Sequence, residues 1–125
     1  MDLNKIADEE ILYRVVRESY PDAFIGGKPS AALFMDPGGV SVDRDGGRKE
    51  EDIVLSFKQR FQKRQDYKTS VKIGAGDCRK IGTYPNPVGN KKNIYHAEIH
   101  ESEAERVISL LKAVQLAELC TVVNG

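Results

Sequence analysis

The chain has no net charge, no long apolar run, and very little of the chemistry that usually declares a function. It carries only two cysteines and two histidines in 125 residues. Cys78 and Cys120 stand alone, without CxxC spacing, so no thiolate metal knot or redox pair can be read from them. One disulfide between them is conceivable; two free thiols in a reducing compartment is the expectation. Lysine plus arginine balances aspartate plus glutamate at 19 each, so no global field draws the protein toward nucleic acid or membrane. No apolar run approaches the ~18 residues of a membrane span. Met1-Asp2-Leu3-Asn4-Lys5 leads into Asp8-Glu9-Glu10 without an apolar segment, and the expected location is the cytoplasm.

What is present fits one folded domain over residues 1–125. Apolar content is 40% and charged content 30%, as in ordinary globular proteins. A chain of this length buries roughly two thirds of its unfolded surface and needs no metal or disulfide to fold. The charge is unevenly spread. Between Lys58 and Lys80 lie Lys58, Arg60, Lys63, Arg64, Lys68, Lys72, Arg79 and Lys80 against Asp66 and Asp77, while Glu98 to Glu118 is acidic. Two solvated surfaces account for this. A protein partner, self-association, or nucleic acid held by residues 58–80 with Tyr67 as a stacking ring are the functional alternatives.

Hydrophobic periodicity and turn residues predict the elements. Residues 2–10 read as a polar segment with helical character, and Ile11 to Val16 as a strand. Pro21 to Pro29 reads as a loop. Ala31–Met35 and Val40–Asp43 flank Asp36-Pro37-Gly38-Gly39, the pattern of a β-hairpin. Residues 49–64 form an amphipathic helix through Ile53, Val54, Phe57 and Phe61, with acids in the first turn and bases in the last. Ser70 to Ala75 is a strand, and Asp77 can cap a short helical turn. Thr83 to Lys92, with Pro85, Pro87 and Gly89, reads as a loop. Ile94 to Ile99 is a strand. Ser102 and Glu105 make a capping-box pair for a helix running to about residue 118, and Thr121-Val122-Val123 is a short terminal strand. The order predicts an α+β domain: a mostly antiparallel sheet of about five strands with two main amphipathic helices, a split βαβ arrangement fitting the same order about as well.

Both histidines lie in Tyr95-His96-Ala97-Glu98-Ile99-His100. On a strand His96, Glu98 and His100 share one face. Two imidazoles and a carboxylate suit a transition metal, but on a straight strand the three span about 13 Å. With metal–ligand bonds of about 2 Å, one ion takes all three only if the strand bends strongly, and two of the three with a distant residue such as Asp43 is the more feasible set. No metal is assigned, and His100, just before the capped helix, is expected at the surface. His96-Ala97-Glu98 looks like the zinc signature of nucleobase deaminases, yet the PCxxC that completes that site is missing.

Together, Leu12-Tyr13-Arg14, Ser30-Ala31-Ala32-Leu33-Phe34, Ser41-Val42-Asp43 and His96-Ala97-Glu98-Ile99 resemble a scattered group of small bacterial proteins with no established activity. The resemblance covers patches of residues 12–99. It implies that Arg14, Ser41, Asp43, His96 and Glu98 belong together as candidate site residues, and it supplies no cofactor. An arginine, a polar strand residue and a glutamate also resemble the site of ADP-ribosyltransferase-like domains, where arginine anchors a dinucleotide and glutamate stabilises the cationic ribose. The competing reading is structural: polar residues alternating with Ala97 and Ile99 form the wet face of a half-buried strand, with Arg14 pairing Glu98 across strands.

Other fragments fail on spacing. Gly74-Ala75-Gly76 is followed by Arg79 where a dinucleotide fingerprint needs its third glycine. Asp43-Arg44-Asp45-Gly46 lacks the bidentate glutamate of a calcium loop, Val54 standing there. The expected function is a small binding or interaction module. The alternative is an enzyme acting on a nucleotide-like substrate through His96 and Glu98, by ADP-ribosyltransferase-like or metal-assisted chemistry.

Overall fold

A computed structural model describes residues 1–123. Six strands form one antiparallel sheet in the order β6-β7-β4-β1-β5-β8. These are β1 (Ile11–Arg17), β4 (Val40–Arg44), β5 (Tyr67–Gly74), β6 (Tyr84–Pro87), β7 (His96–His100) and β8 (Thr121–Val123). A separate two-stranded ribbon, β2 (Phe24–Ile25) with β3 (Lys28–Pro29), turns on Gly26 and Gly27. The helices are α1 (Glu50–Phe61), α2 (Ala75–Lys80) and α3 (Leu110–Leu119). The fold is α+β, with one more strand in its main sheet than the sequence pattern predicts. No helix among the described residues is long and apolar enough to cross a membrane.

The period-two alternation of β1 sorts its residues between two layers. Leu12 and Val16 enter the larger core with Val40, Val42, Val71, Ile73, Ala97 and Ile99. Ala75 and Cys78 of α2, Leu33 and Phe34, and Ala113 and Leu116 of α3 close that side. Tyr13 and Val15 face the other way, onto Ile53, Val54 and Phe57 of α1. Phe57 is fully buried there, a burial that stabilises by about 2–3 kcal/mol. The two layers are unequal. The α1 core draws its strand residues from β1 and β8, with Ile11 and Tyr67 packed at its margin. On the same face α1 reaches β4 through the bond of Arg60 to Asp43, but the core cluster under α1 takes no residue from β4, β7 or β6.

Both thiols are buried and unpaired, and burial pushes Cys78 up to about 12 and Cys120 up to about 11. They act as small core residues.

Several segments differ from the pattern-based expectation, the ribbon β2–β3 within the expected Pro21–Pro29 loop among them. Leu33 and Phe34 are adjacent and both buried, which an alternating strand cannot accomplish on one face. Ala31–Phe34 is therefore a 3-10 turn, and β4 pairs with β1 and β7 instead of with a hairpin partner. Within the supposed proline loop, β6 is an edge strand on β7. Its prolines are two residues apart, so the missing donors share one side, and an edge strand leaves one side unpaired. The C-terminal helix begins at Leu110. Ser102 does accept from the Glu105 N–H at 3.1 Å, but this bond closes only a local turn. Ser109, whose own N–H bonds Glu101 Oε1 at 2.8 Å and whose Oγ accepts from Lys112, is the cap that starts α3. α2 likewise starts at Ala75 with Gly74 as its cap position, leaving Asp77 in the first turn.

Residues 2–10 are not helical. Asp2 Oδ1 takes the Asn4 N–H at 2.8 Å and Glu10 Oε2 takes that of Ala7 at 2.6 Å, so carboxylates consume donors a helix would use. The segment is a strap, pinned by buried Ile6 and by two arginines. Arg44, 1% exposed, grips Glu10 through Nε at 2.7 Å and Nη2 at 2.8 Å and donates to Lys5 O at 2.7 Å. Arg79 reaches Asp8 Oδ1 and Ile6 O, both at 2.5 Å.

Burial raises the Glu10 carboxyl, but the Arg44 bonds and the Ala7 N–H outweigh it and hold the group below its ordinary range. A carboxyl depressed in the folded state adds stability above its unfolded pKa, and that stability disappears as pH falls through the folded pKa. Glu10→Gln should lower stability at pH 7 by about 3 kcal/mol, the cost of leaving a buried arginine unpaired. The difference from wild type should shrink below pH 4. Urea melts at pH 7 and pH 3.5 check both; an equal loss at the two pH values would contradict the role of the charge.

Candidate functional site

β1 and β4 lie next to each other at the middle of the sheet, yet they pair at only two positions, Leu12↔Arg44 and Tyr13↔Asp43. By contrast, β1 pairs with β5 along its whole length. Beyond Tyr13 the two strands part, and Arg14 fills the gap. Its side chain donates from Nε to Leu33 O at 2.8 Å, from Nη1 to Ser41 O at 2.9 Å, and from Nη2 to Asp36 Oδ2 at 2.9 Å. The residue is 3% exposed. Asp36 lies at the rim, so the arginine joins the core to the Asp36–Gly39 turn.

Above the gap, on the side of α1, is a cleft of about 80 Å3 lined by Tyr13, Arg14, Val15, Tyr20, Ser41, Asp43, Phe57, Arg60, Phe61 and His96 among others. Asp43 and His96 are cross-strand partners on β4 and β7. Asp43 is buried; Oδ2 accepts from Arg60 Nη2 at 2.8 Å and Oδ1 from Asn93 Nδ2 at 3.2 Å. The imidazole of His96 has no hydrogen-bond partner among the described residues. Aromatic rings make the wall: Tyr20 faces Arg14 at 5.5 Å and Arg17 at 5.6 Å, and Phe57 faces Arg60 at 5.3 Å. Burial and the Glu50 carboxylate push the Tyr13 hydroxyl up to about 12, so it stays a donor, bonded to Glu50 Oε1 at 3.0 Å.

Of the five candidate residues, the fold gathers Arg14, Ser41, Asp43 and His96 around this cleft. Glu98 stands opposite Ser41 on the next strand, but its Oε1 meets His100 Nε2 at 2.8 Å. The cross-strand pair of Arg14 with Glu98 does not form; Arg14 pairs with Asp36 and Glu98 with His100. His100 is not at the surface. It is 5% exposed, because the Asp36–Gly39 turn folds over its ring. A Cβ on Gly39, whose φ is +99°, would lie 2.9 Å from His100 Cδ2. No group of three or more His, Cys, Asp or Glu side chains able to hold a metal occurs among the described residues.

Around the cleft the open sheet face is a polar lattice. Ser41, Glu98 and Asn86 form one cross-strand row, and His100 stands opposite Tyr84 in another. Sequence reasoning missed Tyr20, Phe57, Arg60 and Phe61 as lining residues. Arg60 had a readable signal, lying three residues after the core residue Phe57 and so on the same side of α1. Tyr20, between two irregular segments, had none.

The basic segment is partly neutralised within the fold. Arg60 pairs with Asp43, Lys72 with Glu50 and Arg79 with Asp8. Lys58 lies 5.8 Å from the Tyr67 ring and Lys68 5.5 Å from that of Phe24. The side chain of Arg64 lies outside the described residues.

No protein-family model matches the chain, and neither a curated protein nor a solved structure shows significant similarity to it.

Arg14→Met should cost about 3 kcal/mol, because it strips the donors from two carbonyl oxygens, Leu33 O and Ser41 O, in the interior. Hydrogen exchange should quicken most at Val15, Val16 and Val40 to Val42. A thermal melt unchanged within about 0.5 kcal/mol would show that the gap does not depend on the arginine.

Proposed function

We propose that this protein is a small binding module whose ligand sits in the cleft between β1 and β4 and on the polar half-sheet beside it. The observation that carries this reading is the interrupted ladder. Closing β1 onto β4 would pair backbone groups and remove a charge from the interior. A buried guanidinium with its partners is rarely more stabilising than a packed apolar side chain. Sequences keep such local conflicts where function needs them. The charged groups at the cleft are held by internal partners, which suits a preorganised recognition surface.

The alternative is an enzyme acting on a nucleotide-like substrate through His96 and Glu98. The unpartnered imidazole of His96 beside Asp43 favours it. The engagement of Glu98 by His100 counts against it, since that carboxylate must leave its partner to act. Nucleic-acid binding through residues 58–80 draws less support, because three of the segment's cations already have carboxylate partners.

A chemical-shift screen of the 15N-labelled protein against small anionic, neutral and cationic compounds tests the main reading. Hits should move the amides of Val15, Ser41, Asp43 and His96 together. A screen whose hits all fall elsewhere, or which yields none, rejects it. A single-stranded oligonucleotide, titrated at 50 and 200 mM salt, should show no salt-sensitive binding; a steep salt dependence would restore the nucleic-acid reading.

A further inference from the structure

We infer that the cleft between β1 and β4 is a site for a compact oxyanion, the phosphate or carboxylate head of a ligand whose remainder lies over β4, β7 and β6. This rests on the binding-module reading and gives its ligand a chemical class.

The inference comes from counting donors and acceptors. A guanidinium has five N–H bonds. Arg14 uses three of them on Leu33 O, Ser41 O and Asp36 Oδ2. One N–H on each terminal nitrogen therefore has no partner among the described residues, on a side chain that is 4% exposed and lines the cleft. Arg60 uses a single bond, from Nη2 to Asp43. Its side chain is 41% exposed, so the remaining N–H bonds can turn toward a ligand. His96, free of protein partners, adds a donor from its ring.

Against these stand two acids, Asp36 on Arg14 at the rim and Asp43 on Arg60. Both oxygens of Asp43 are already engaged, by Arg60 and Asn93. The cleft thus has a surplus of donors, six of them N–H bonds on its two arginines, and the one acid among its lining residues, Asp43, is fully engaged. An acceptor-rich anion fits this arrangement, and a cation does not. Planar guanidinium groups match the oxygens of carboxylate and phosphate better than they match a halide. At about 80 Å3, the cleft takes a head group and not a whole metabolite. The rest of the ligand must lie outside, where Ser41, Glu98 and Asn86 offer polar side chains in a row.

The experiment is an NMR titration of the intact chain at constant ionic strength in chloride. The probes are inorganic phosphate and acetate, with tetramethylammonium as the cationic control. Saturable shifts are expected at the Arg14 Nε–Hε and at the amides of Val15, Ser41 and His96, with phosphate or with acetate; the tighter of the two names the head group. His96→Gln and Arg60→Gln should each weaken binding by about tenfold or more, the loss of one charge-assisted bond. Both spare Arg14 and its bonds; because Arg60→Gln also uncovers buried Asp43, His96→Gln is the cleaner of the two.

Non-saturating shifts, or saturable shifts unchanged in both variants, would mark an adventitious ion only and overturn the inference. If neither anion binds while the control or another compound of the screen moves the same amides, the binding module stands and its anion preference falls. If nothing moves them, both readings fall.

Discussion

The side chain of Arg14 sets the middle of this molecule. It fills the gap between β1 and β4 and spends its guanidinium on the carbonyls of Leu33 and Ser41 and on Asp36. Three consecutive segments are tied to β1 at that point: the 3-10 turn, the Asp36–Gly39 turn and β4. The second of these covers His100, which in turn engages Glu98. Arg14 thus links β1 to the turn that packs on His100, while the ladder between β4 and β7 holds their polar side chains in register. The buried charge of Arg14 is stable only because each nitrogen has an acceptor.

A similar logic appears at the opposite end of the same strand pair. Arg44, paired with Leu12 in register, is as buried as Arg14 and holds the N-terminal strap through Glu10 and Lys5 O. Two interior arginines thus bracket β4. One anchors a segment that is otherwise held by Ile6, by Arg79 and by backbone bonds to Ala75 and Gly76. The other separates β4 from β1. Both perform tasks for which lysine, with its single charged centre and no fork, is poorly suited.

The parts of the fold that follow from periodicity were legible in the residues. Ile53, Val54 and Phe57 mark α1, alternating Val71 and Ile73 mark β5, and Thr121 to Val123 form β8 as their composition suggests. The failures share a cause: local signals that tertiary partners redirect. Pro85 and Pro87 argue against a strand until it is known to be at an edge. Ser102 and Glu105 make their predicted bond without starting a helix, and α3 is capped instead by Ser109, further along the chain. The grouping of Arg14, Ser41, Asp43 and His96 was legible as a set of residues. Their geometry was not, since nothing in the sequence says that β1 and β4 part after two pairs. His100 was misread because burial on a sheet face depends on a turn sixty residues away.

The centre of the sheet joins strands that are far apart along the chain. β1 spans residues 11–17 and its longest partner, β5, spans 67–74; β7 and β8 complete the sheet later still. Neither hydrophobic layer can close until that distant pair has met, and the loop entropy of the meeting is spent before any core contact repays it. Folding of this chain is therefore governed by an encounter between its first strand and its middle, on the slower time scale of non-local β pairing. Until the residues of β5 are available, β1 presents to solvent the edge that β5 covers in the folded sheet.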